Sequence, residues 1–201
     1  MRIGIVVFDQ VDLLDVGGPY EVFLTASRLV ERDGRPAPFE VLTLGATADP
    51  VAAYGGLRLT PHATLARCGA LDVLVVPGAI AIDDVIADQT LMAAAAPVAR
   101  ATPVVASVCT GAFILGALGL LAGRAWTTHW EDVETLAERV GGRGEAWVRW
   151  VDSGEVVTSG GLGSGMAMSL HLVDRFEGRE LAARTAKQLE YDWDPVAGGR
   201  T

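Results

Sequence analysis

The sequence predicts an α/β protein whose mainly parallel sheet is covered by helices on both faces. Two observations lead there. Short apolar runs rich in β-branched residues, such as Val104-Val105-Ala106-Ser107-Val108, alternate with stretches of helical character, and the connections are short. One of these strands runs straight into Cys109 and then into an Ala/Leu-rich helix. That order puts the cysteine in a tight strand-to-helix turn, at the carboxyl edge of the sheet.

Taken in order, Ile3 to Phe8 reads as the first strand and Asp9 to Gly18 as a loop. Pro19 suits the first position of a helix running to Glu31, and Asp33-Gly34 closes it. Phe39 to Leu44 is the second strand. Gly45 to Thr64 carries scattered Gly, Pro and Thr, with a short hairpin around Gly55-Gly56. Asp72 to Val76 is the third buried strand, ending in Pro77-Gly78-Ala79, and a helix of low charge follows from Asp83 to Arg100. After the cysteine strand, Ala112 to Leu121 reads as a helix stopped by Gly123. Ala125 to Thr128 is a short strand and Glu131 to Val140 an amphipathic helix. Val148 to Asp152 and Glu155 to Ser159 form a strand pair turned at Ser153-Gly154. The glycine-rich loop Gly160 to Gly165 opens a helix from Met166 to Phe176, and a last helix spans Gly178 to Tyr191. The expected organisation is one domain over residues 1–191 and a loose tail over 192–201.

The totals agree with a packed globular chain: 201 residues, 50% hydrophobic and 20% charged. With 16 basic against 25 acidic residues the net charge is −9, which argues against nucleic acid and anionic membranes as partners. Met1-Arg2 leads directly into a strand, and no apolar run approaches the ~20 residues of a membrane helix. Two cysteines make no disulfide framework, so a reduced, cytoplasmic protein is expected.

Cys109 has two readings. The amides and partial positive charge of a helix N-terminus beside it would stabilise a thiolate, the nucleophilic form. Alternatively it packs as a small apolar residue. Cys68 reads as a packing residue, and His62 and His171 have no companions at metal-ligand spacing. Trp147 and Trp150 are expected in the core or at a dimer contact. The loop Gly160 to Gly165 lacks the full spacing of a phosphate cradle.

Five stretches together carry a resemblance: Ser107-Val108-Cys109-Thr110-Gly111, Leu14-Asp15-Val16-Gly17-Gly18-Pro19, Asp72 to Gly78, Thr127-Thr128-His129-Trp130 and Gln188-Leu189-Glu190-Tyr191. In order and spacing they resemble the DJ-1/PfpI superfamily, and within it the isocyanide hydratases. The resemblance implies a flavodoxin-like three-layer sandwich of the class I glutamine amidotransferase-like kind. It also implies a homodimer and no metal or organic cofactor. Asp15 is then the acid paired with Cys109, reached from a first strand expected to neighbour the cysteine strand. Asp9 and Asp12 read as solvated. The amides of Gly78, Ala79 and Thr110 are expected to stabilise negative charge on an intermediate. The family has a second glycine where this chain has Ala79. Thr110 replaces the histidine of the protease-like branch, which speaks against peptidase activity, and its hydroxyl is free for substrate or water. His129 aligns with a histidine near the cysteine in related proteins. A lone histidine is more often structural.

The activity this implies is hydration of small-molecule organic isocyanides to N-substituted formamides, through a thioimidate on Cys109 with Asp15 moving the proton. Two alternatives stay open. One is glyoxalase- or deglycase-type chemistry on α-oxoaldehydes. The other is a non-enzymatic sensor whose Cys109 oxidises. Related domains also form half of AraC-type regulators, but no helix-turn-helix pair or basic face is seen here.

Overall fold

A computed structural model describes residues 1–195. In chain order its strands are β1 (Arg2–Val6), β2 (Glu40–Gly45), β3 (Val51–Ala52), β4 (Arg58–Leu59), β5 (Ala63–Thr64), β6 (Val73–Val76), β7 (Val104–Ser107), β8 (Ala125–Trp126), β9 (Arg143–Gly144), β10 (Trp150–Asp152) and β11 (Val156–Ser159). The α-helices are α1 (Leu13–Arg32), α2 (Ile82–Ala87), α3 (Gln89–Ala101), α4 (Gly111–Ala117), α5 (Val133–Val140), α6 (Ser164–Glu177) and α7 (Arg179–Gln188).

The central sheet has seven strands in the order β10-β11-β7-β6-β1-β2-β5. All pairings are parallel except β10 with β11. Helices α1, α6 and α7 pack together, and α2 packs on α3 and α4, with α4 against α5. These groups cover the two faces, as the apolar strands require. Every residue of β6, β7 and β11 is buried, which fits their continuous apolar, β-branched character. Each Val or Leu so buried contributes roughly 1.5–3 kcal/mol of transfer free energy.

The chain leaves β1 toward β2 and returns on the other side of β1 as β6, so the strand order reverses between β1 and β6. In such sheets the crevice at the reversal is where sites form. The expected adjacency of β1 and β7 is corrected here: β6 lies between them.

The structure differs from the expected elements at further points. Helix α1 begins at Leu13 and takes Pro19 inside it. The missing Pro19 N–H would have bonded the Asp15 carbonyl, one lost bond that packing outweighs. Gly18 contributes to that packing, since a Cβ there would sit 2.9 Å from the Met166 side chain. The single helix expected from Asp83 to Arg100 is two, broken at Asp88, whose carboxylate accepts from the amides of Thr90 at 2.9 Å and Leu91 at 3.2 Å. Helix α4 stops at Ala117 because Gly119 takes φ +77° and Leu120 N–H closes onto the Leu115 carbonyl at 2.9 Å. The strand at Ala125 pairs with β9, outside the main sheet. The expected hairpin around Gly55-Gly56 is the β3–β4 pair. The expected loose tail begins packed, with Trp193 against the core and the Arg179 guanidinium over its ring at 5.7 Å. The rest of that tail lies outside the described residues.

Candidate active site

Strand β7 delivers Cys109 onto a corner with φ +55°. A non-glycine residue there costs roughly 1–2 kcal/mol, so the surroundings must hold it. They do: Cys109 N–H donates to the Gly160 carbonyl at 3.0 Å, and the Thr128 hydroxyl donates to the Cys109 carbonyl at 2.9 Å. Gly111 then lies directly on the carbonyls of Val76 and Pro77, where a Cβ has no room.

Asp15 stands in the first turn of α1, following β1. It reaches over the end of β6 toward the cysteine. Its Oδ2 accepts the Gly78 N–H at 2.9 Å, while Oδ1 is buried without a hydrogen-bond partner. One ligand atom each from Asp12, Asp15 and Cys109 lies within 4.8 Å of the others. Gly78 is required at this crossing. A Cβ on it would meet Thr110 Oγ1 at 2.5 Å, Thr110 N at 2.8 Å and Asp15 Oδ2 at 3.1 Å.

The electrostatics differ from the expected thiolate. Burial comes first, and the Asp15 charge second, in pushing the Cys109 thiol up to about 12. The backbone amides of Thr110 and Leu162 pull the other way without prevailing. Burial likewise lifts Asp15 to about 7, opposed by the Gly78 amide and reinforced by Asp12. A thiol that resists ionisation therefore faces a carboxyl poised near neutrality. That arrangement suits passing one proton between them. Asp12, Asp15 and Cys109 are one thiol and two carboxyls with no histidine among them, a short donor set for a divalent cation.

Two of the three expected anion-stabilising amides are committed elsewhere. Gly78 N–H is bonded to Asp15. Ala79 N–H donates to the Thr110 hydroxyl at 2.9 Å, which returns a bond to the Ala79 carbonyl at 2.8 Å. The Thr110 hydroxyl is thus not free for substrate or water; it locks the β6 loop to the elbow. Ala79 keeps out of the positive-φ region, which is how a Cβ is accommodated where the family has glycine. The amides facing the sulfur are those of Thr110 and Leu162. Leu162 was not singled out from sequence; its signal was the glycine-rich loop, which Tyr191 pins by donating its hydroxyl to the Gly163 carbonyl at 3.1 Å.

A cavity of about 430 Å³ opens over the sulfur, lined by Cys109, Asp12, His129, Ile82 and Leu162 among others. His129 lies beside the loop, where a Cβ on Gly161 would touch its ring at 2.6 Å. Its Nδ1 faces Asp132 at 3.6 Å and Glu131 at 3.7 Å. Asp12, expected to be solvated, is half-buried on the cavity wall, and burial raises its pKa against the pull of His129. Trp150 is buried in the core, whereas Trp147 is exposed and stacks on Trp130 with centroids 4.9 Å apart. Cys68 is buried, as expected of a packing residue.

A parallel sandwich whose cysteine sits on a left-handed elbow beside a buried carboxyl is the architecture of the flavodoxin-like elbow-cysteine proteins. The chain belongs to the DJ-1/PfpI family, whose model matches residues 1–175. It is 32% identical over 191 residues to the isonitrile hydratase of Pseudomonas putida, covering 95% of this chain and 78% of that protein. It is 29% identical to the HTH-type transcriptional regulator GbdR of Pseudomonas aeruginosa, over 94% of this chain and 50% of the regulator. Among solved structures, a THiJ/PfpI family protein from Pseudomonas syringae superposes with a TM-score of 0.83 at 27% identity, covering 97% of this chain and 76% of that one.

Proposed function

We propose that this protein hydrates organic isocyanides to N-substituted formamides, with Cys109 as nucleophile and Asp15 as proton carrier. The observation that carries the reading is the buried Asp15 carboxyl, its Oδ1 unpartnered, in the same 4.8 Å cluster as the thiol. The similarity to a hydratase of this substrate class supports it. Asp15 as carboxylate takes the thiol proton and delivers it to the terminal carbon of R–N≡C. The sulfur bonds to that carbon as the proton arrives, giving a thioimidate, R–N=CH–S–Cys109. Protonating the carbon makes it electrophilic, so a high thiol pKa is no obstacle: the proton leaves sulfur for carbon through Asp15. The amides of Thr110 and Leu162 hold the developing charge on sulfur. Water then adds, the carbon–sulfur bond breaks, and R–NH–CHO leaves. The acidic wall of Asp12, Glu131 and Asp132 disfavours anionic substrates such as oxo-acids and admits a neutral isocyanide.

Cys109→Ala is expected to abolish formamide formation from a simple alkyl or aryl isocyanide, read by absorbance. Full activity in that variant ends the mechanism. Lactate from methylglyoxal in competition with isocyanide would favour the α-oxoaldehyde reading instead. The sensor reading is weakened by the thiol held at about 12, since peroxide reacts with thiolate. We further propose a cytoplasmic homodimer that works without metal or organic cofactor. Light scattering on the purified protein is expected to give twice the chain mass, and a monomer at all concentrations would refute the dimer.

A further inference from the structure

The proposed reaction needs a second proton transfer that Asp15 is badly placed to perform. Asp15 is fully buried, its Oδ2 is bonded to Gly78, and it does not line the cavity from which water must come. Asp12 does line it, together with Cys109. Asp12 is also the N-cap of α1, yet its side chain makes no capping hydrogen bond, the usual use of aspartate at that position. Its backbone is fixed instead, with Asp12 N–H donating to the Gly78 carbonyl at 3.0 Å and its carbonyl accepting from Asp15 N–H at 3.1 Å. The carboxylate is left facing the cavity, within 4.8 Å of the cysteine and Asp15 ligand atoms. The other acids on the wall, Glu131 and Asp132, face His129.

From these positions we infer that Asp12 is the general base that activates water for hydrolysis of the thioimidate. The inference rests on the proposed isocyanide reaction and divides its two halves between two carboxyls. Asp12 takes a proton from water as the oxygen bonds to the thioimidate carbon. The C=N electron pair moves to nitrogen, which receives that proton from Asp12. The carbon–sulfur pair then returns to sulfur, and the new hydroxyl passes its proton by way of Asp12, again a carboxylate, to the thiolate beside it. The sum is isocyanide plus water giving formamide, with free Cys109 regenerated.

The test is Asp12→Asn, which keeps the size of a side chain that makes no capping bond and removes its charge. Mixed with an alkyl isocyanide, the variant is expected to form the Cys109 adduct at the wild-type rate, seen by intact-mass spectrometry as a gain of one isocyanide. Steady-state formamide production is expected to fall about 100-fold or more, leaving a stoichiometric burst. Hydroxylamine, which attacks thioimidates without a base, is expected to clear the adduct. Asp15→Asn is expected to form no adduct. Steady turnover by Asp12→Asn within a few-fold of wild type overturns the assignment, as does its failure to form an adduct while its circular dichroism and melting match wild type. If wild-type protein yields neither adduct nor formamide, the parent reaction falls as well.

Discussion

At the scale of single residues, the site is a shared-proton pair. Its reactive form carries one proton, on sulfur, with Asp15 as carboxylate ready to take it. Asp15 is lifted to about 7 and Cys109 to about 12. The value of kcat/KM is therefore expected to rise tenfold per pH unit below about 7 and level above it, with no fall until strongly alkaline pH. A profile that declines between pH 7 and 9 would refute this assignment of the proton. Cys109 was legible as the residue between an apolar strand and a helix, whereas Asp15 was singled out by the resemblance, since Asp9 and Asp12 follow the same strand. The roles of Asp12 and Leu162 were not legible. Whether Asp12 points to solvent or inward depends on where α1 begins, and the Leu162 amide is aimed by loop closure, which side-chain type does not encode. Likewise, the use of the Gly78 and Ala79 amides by Asp15 and Thr110 follows from the close crossing of two loops.

At the scale of elements, the central strands read well from apolar runs, because β6, β7 and β11 are buried along their whole length. The two-residue strands β5 and β9, half-buried or exposed, gave no such run. Helix boundaries read less well. Pro19 marks a helix start by local propensity, but the helix runs back to Leu13 and so has Asp15 in its first turn, with Gly18 close against Met166 of α6. The break at Asp88 was hidden inside an unbroken alanine-rich pattern. That carboxylate carries two capping bonds, so Asp88→Ala is expected to cost about 1 kcal/mol of stability. Urea unfolding with an unchanged slope and a lower midpoint would show it. A midpoint identical to wild type would mean that α2 and α3 are held apart by packing alone.

At the scale of the whole molecule, the buried acid sets how stability varies with pH. Asp15 binds its proton more tightly folded than unfolded, about 7 against 3.8. Stability should therefore be greatest below pH 4 as far as this group decides it, fall as pH rises through 4 to 7, and then level. Asp15→Asn removes that penalty and is expected to stabilise the fold at pH 8 by up to about 4 kcal/mol, the gain vanishing toward pH 4. Equal melting of variant and wild type at pH 8 would contradict it. The net charge of −9 and the parallel sandwich were both available from composition and pattern, whereas the position of β6 between β1 and β7 required the crossover to be seen. The margins of the sheet have a consequence of their own. It ends on β5, two residues long, and on β10, three residues long and reversed in direction. Neither border offers a long ladder of vacant amides and carbonyls for a neighbouring chain to zip onto. A neighbour docking at either border would have to rely on side-chain contacts, since so few main-chain groups are on offer there to lengthen the ladder.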